Sequence, residues 1–130
     1  MNCNQQSCKG FSLIELMIAL AIIAILAAAA NAYFGDNVKS ARCTEGRSAL
    51  LERSVSLEKC KAIYGAYNNA NCNVATGNTP EGHFNISLNS TATTFLLTAT
   101  GTGANASNPY CSTITLNQLG VQSGTGTSPW

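Results

Sequence analysis

The sequence predicts an α+β protein: one long N-terminal helix, half membrane-spanning and half amphipathic, packed on a small antiparallel sheet of three to four strands. Three observations carry this reading. The longest apolar run, FSLIELMIALAIIAILAAAA, occupies residues 11–30. A charge-rich stretch with apolar residues at helical spacing follows it. Beyond residue 61 charge almost vanishes, and short alternating or β-branched runs replace it. The 130 residues are 45% hydrophobic and only 10% charged, against about 25% charged in an ordinary soluble domain. That leaves one small domain and excludes a two-domain soluble enzyme. A net charge of +1 also argues against a general polyanion binder.

The apolar run is long enough to span a bilayer, since twenty helical residues cover roughly 30 Å. Leu, Ile, Ala and Met form helix readily, and no Pro or Gly interrupts them. Before the run, MNCNQQSCKG is polar and carries Lys9, which keeps the N-terminus on the cytoplasmic side. A secretory signal would be cut after the apolar stretch rather than before it. Glu15 is the only charge inside the run. A carboxylate there costs about 2.5–3.5 kcal/mol at mid-bilayer and less near the interface. It either reaches back to the headgroups or waits for a positive partner on another chain.

The residues KGFSLIEL at 9–16 resemble the processing site of type IV pilins: a short basic leader, Gly, Phe, and Glu at the fifth position after the cut. The resemblance implies that residues 1–10 are a leader removed by a prepilin peptidase between Gly10 and Phe11, and that Phe11 becomes N-methylated. It also gives Glu15 a role. The new amine at Phe11 is a cation among apolar helices, and Glu15 is the acid within reach. A buried pair adds little stability, but breaking one strands a charge at about 3–5 kcal/mol. Glu15 and Phe11 then set the register of filament assembly. Pilins commonly carry a proline near the end of the apolar half, where this sequence has Ala32; Asn31 and Gly35 are weaker substitutes.

Four segments are expected: the leader 1–10, a hydrophobic transmembrane and assembly helix 11–35, an amphipathic half 36–63, and a disulfide-stabilised β domain 64–130. In the amphipathic half, Cys43, Gly46, Leu50, Leu57 and Cys60 form one stripe, flanked by Leu51 and Val55. In the β domain, residues 62–130 hold no Lys or Arg and one acid, Glu81. FNISL, TTFLLTAT and CSTITL read as strands, joined at Gly101, Gly103 and Asn108–Pro109. The tail SGTGTSPW reads as loose except where Trp130 packs. TEGRSALLE and the FNISL…TTFLLTAT…CSTITLNQLG pattern look most like the PilE/ComP group of type IVa minor pilins, and imply the pilin fold.

Cys3 and Cys8 lie in the leader. Of the remaining four cysteines, Cys43 and Cys60 are seventeen residues apart on one helix, about 25 Å against a limit of about 7 Å between bridged Cα atoms. Two connectivities remain. Cys60 and Cys72 are local and bracket a loop, which favours Cys60–Cys72 and, by elimination, Cys43–Cys111; Cys60–Cys111 stays open. Relatives commonly pair the cysteine before the last strand with one near the C-terminus, whereas this sequence runs SPW. With one His and no Cys-x-x-Cys, no metal site is expected, and His83 reads as a strand-edge or surface residue. Asn85, Asn89 and Asn105 fit the N-x-S/T pattern, to which no glycan is assigned.

No catalytic constellation is visible, so no enzyme activity or cofactor is expected. The resemblance implies a structural subunit of a type IV pilus, serving adhesion, twitching motility or pilus assembly. Its partners would be other pilin subunits, the prepilin peptidase and the bacterial inner membrane. It would sit there as a single pass, N-terminus cytoplasmic, before joining an extracellular pilus. Two alternatives share the same leader. A DNA-uptake pilin needs cations, which fall to Arg42, Arg47, Arg53, Lys59 and Lys61, and is not favoured. A type II secretion pseudopilin lacks support, because no acidic calcium loop appears.

Overall fold

The computed structural model describes residues 10–130. The leader residues Cys3, Cys8 and Lys9 lie outside them. The chain divides into two compact units between Gly35 and Asp36, and one helix, α1 (Leu13–Tyr64), runs through the division.

In the first unit, every large apolar side chain from Phe11 to Leu26 is more than half exposed. Nothing among the described residues covers them, and the helix is long and apolar enough to cross a membrane. The Asn31 amide donates to the Ala27 carbonyl at 3.2 Å, so this polar side chain is satisfied by its own helix.

The second unit is an antiparallel meander against the C-terminal half of α1. Five strands follow in order: β1 (Gly77–Asn78), β2 (Phe84–Ser90), β3 (Phe95–Gly101), β4 (Thr113–Asn117) and β5 (Gln122–Thr125). Every neighbouring pair is antiparallel. Alternation sets the register: Ile86 pairs with Ala99, and Ala99 with Ile114, so buried residues line up across three strands. Their inner face and the helix stripe Cys43, Leu50 and Leu57 form one core with Phe84, Phe95, Leu97 and Leu116. Gly46 lets the layers approach: a Cβ there would lie 3.0 Å from both Ile114 Cδ1 and Phe84 Cε2. Gly101 plays the same part at the end of β3, where a Cβ would strike the Asn105 carbonyl.

Three details differ from the sequence expectation. The sheet has five strands rather than three or four, because two-residue β1 and exposed β5 carry no apolar face to announce them. Part of the tail expected to be loose is therefore strand. Trp130 packs on the core and donates its indole N–H to the Ser123 carbonyl at 2.7 Å. Leu51 and Val55 do not flank the core; they are 46% and 63% exposed. At about 100° per residue the stripe from Cys43 to Cys60 leaves them on the far side of the helix, while Ala49 falls within it.

Candidate functional site

Glu15 lies in the first turn of α1, with its backbone N–H donating to the Ser12 carbonyl at 3.1 Å. An acid there complements the helix dipole. Its carboxylate makes no hydrogen bond or ion pair to any described residue. Gly10 and Phe11 precede the helix and are exposed.

Cys43 is bonded to Cys111, and Cys60 to Cys72. The first bridge is fully buried and joins α1 to the segment entering β4. The second closes the loop after the helix. That loop is also held by Tyr67, whose ring meets Phe95 edge-on at 5.0 Å and whose hydroxyl donates to Glu58 Oε1 at 2.7 Å. Lys61 Nζ sits 4.3 Å above the same ring. Burial first, and then the hydrogen bond and charge of Glu58, push the Tyr67 hydroxyl up to about 12.

Most cations available to a polyanion are engaged in the fold. Arg47 donates to the carbonyls of Pro129 and Ser128, fastening the C-terminal segment to α1. Arg53 donates to Ala75 O at 2.6 Å and Ala49 O at 3.0 Å. Lys39 pairs with Asp36 at 3.4 Å. Arg42 and Lys59 alone make no hydrogen bond, ion pair or ring contact among the described residues.

Two features had no clear signal in the sequence. Asn105 and Asn108 are buried: Asn108 donates to Lys39 O at 2.9 Å and to Asn105 Oδ1 at 2.6 Å, and accepts from Tyr110 N at 3.0 Å. Burial of Asn105 also removes it as a glycan acceptor in the folded chain. The second feature is a cluster. His83 Nδ1 lies 2.7 Å from Glu45 Oε2, 38 positions away, and 3.6 Å from Glu81 Oε2. Glu45 and Glu81 also line a groove of about 700 Å³ beside α1, with Arg53 and Val74 on its wall.

Residues 32–115 match the family described as type IV minor pilin ComP, DNA uptake sequence receptor, and residues 5–31 match the prokaryotic N-terminal methylation motif. Comparison with curated proteins gives no match. Among solved structures, the Neisseria meningitidis non-core minor pilin PilV shares the fold, with a TM-score of 0.57 and 24% identity. That likeness covers 71% of this chain and 91% of PilV. A methylation motif heading an apolar helix, continued into a helix-backed antiparallel sheet, defines a type IV pilin subunit. Within that class, the chain belongs to the type IV minor pilin ComP family.

Proposed function

We propose that the chain is cut between Gly10 and Phe11, methylated on the Phe11 amine and built through its apolar helix into an extracellular type IV pilus. Before assembly it crosses the bacterial inner membrane once, with its N-terminus cytoplasmic, and is a substrate of the prepilin peptidase. The carrying observation is Glu15: an acid with no hydrogen bond or ion pair to any described residue, at the head of a helix whose large apolar side chains up to Leu26 are all exposed. Such a helix is stable only in lipid or among other apolar helices, and its acid is compensated only where a terminal amine meets it. Glu15→Ala is expected to be processed normally and to be depleted from sheared pili. Mass spectrometry of the mature chain reads the first point, and immunoblotting of sheared filaments the second. Normal incorporation of the variant overturns the assembly role.

A DNA-uptake role is the second reading, and the family match across residues 32–115 is what favours it. The charge inventory sets its character. With two unengaged cations among the described residues and Lys39 in an exposed pair, about three phosphate contacts are available there, so the slope of log K against log salt stays shallower than about −3. Discrimination would rest on hydrogen bonds and shape from the uncharged Thr- and Asn-rich surface. Fluorescence polarisation of short duplexes, comparing a preferred sequence with its scrambled form across salt, measures both quantities. Equal affinity for the two duplexes, or a steep slope, removes this reading.

A further inference from the structure

We propose that Glu45, Glu81 and His83 form a binding site for a divalent first-row cation of the zinc type, tying the amphipathic half of α1 to the start of β2. One ligand atom from each residue lies within 4.8 Å of the others. Two carboxylate oxygens and one imidazole nitrogen are the donors such ions take, and three protein ligands plus water complete a tetrahedron. Calcium and magnesium fit poorly: calcium takes about six to eight oxygens, and magnesium favours an oxygen octahedron.

The three residues are held by the fold rather than gathered by chance on one helix. Glu45 projects from α1, and its side chain is only 12% exposed. Its Oε1 accepts the Glu81 N–H at 3.2 Å, which fixes the carboxylate and leaves Oε2 facing the ring. The 81–83 segment is clamped from both sides. Gly82 N donates to Thr79 O at 2.9 Å, Thr102 N to His83 O at 2.9 Å, and Thr102 Oγ1 to Gly82 O at 2.6 Å. His83 is therefore presented at a set position between two acids. Glu81, whose side chain is 71% exposed, forms the outer wall, so water has access to the remaining position.

The bland alternative is a histidine–glutamate pair that only pins the loop. Ligand binding distinguishes the two. The test uses the full chain in detergent micelles with both disulfides intact, and with Cys3→Ser and Cys8→Ser so that leader thiols cannot bind the metal. Zinc chloride is titrated against a chromophoric chelator. The expected result is one equivalent of zinc per chain, with affinity falling at least about tenfold in His83→Ala and in Glu45→Gln. Glu81→Gln, altered at an exposed side chain, guards against loss of binding through unfolding, and it too is expected to weaken zinc. Cobalt substitution adds a visible spectrum that should disappear with His83→Ala. No stoichiometric equivalent in the parent chain, or unchanged affinity in all three variants, overturns the site.

Discussion

Asn108 does at one position what a whole turn of helix does elsewhere. Its amide bridges the Lys39 carbonyl of α1, the Asn105 side chain and the Tyr110 backbone. Removing it leaves buried groups without partners, so Asn108→Ala should cost about 2 kcal/mol, read as a lower midpoint in denaturant unfolding. Gly46 works by absence. Gly46→Val gains helix propensity but drives methyl groups into Phe84 and Ile114, and should cost about 2 kcal/mol by the same measurement. Tyr67 adds a pH dependence. Its folded-state value of about 12 lies above the ordinary 10.0, so the folded state holds the proton more tightly than the unfolded chain. That stability is complete below about pH 10 and is lost as pH rises through about 12. Alkaline unfolding curves should show this decline in the parent chain, and Tyr67→Phe should flatten it.

Among the elements, α1 and the three central strands were readable in the residues. The helix announces itself by an unbroken apolar run and then by a stripe of period 3.6, and β2–β4 by alternation that matches a half-buried face. β1 and β5 stayed hidden, because Gly77–Asn78 and Gln122–Thr125 carry no buried apolar face. Leu51 and Val55 misled because apolar type was weighed above angular position. Of the candidate site, Gly10, Phe11 and Glu15 sit in a local motif and could be found from sequence. The Glu45–Glu81–His83 cluster could not, since Glu45 reaches Glu81 and His83 only through tertiary packing. The two disulfides differ in what they close. Cys43–Cys111 spans 68 positions and Cys60–Cys72 only 12. Loop entropy assigns them about 4 and about 3 kcal/mol. The double variant Cys43→Ala/Cys111→Ala should therefore unfold at lower guanidinium than Cys60→Ala/Cys72→Ala.

At the scale of the molecule, the described core residues all belong to the second unit. Every buried core residue lies at or beyond Cys43, and both bridges lie beyond Gly35. A fragment comprising residues 36–130 should fold as a soluble monomer. Size-exclusion chromatography and circular dichroism would report this, the latter as a single cooperative thermal transition. The charge follows the same division of labour. Among the described residues the cations all lie on the helix, half of them committed to carbonyls or acids, while the sheet and its loops after Lys61 present Thr, Asn, Ser and Gly.

In the filament proposed above, the Cys43–Cys111 bond would carry load from α1 into the sheet. Tension travelling along the helical rods reaches Cys43 about two turns after the unit boundary. There it passes through a covalent clamp into the segment that leads to β4, which has β3 on one side and β5 on the other. Load arriving at an inner strand is resisted by ladders on both flanks in parallel, not peeled open one hydrogen bond at a time from an edge. A domain wired this way takes load at an inner strand and keeps its outer loops in place.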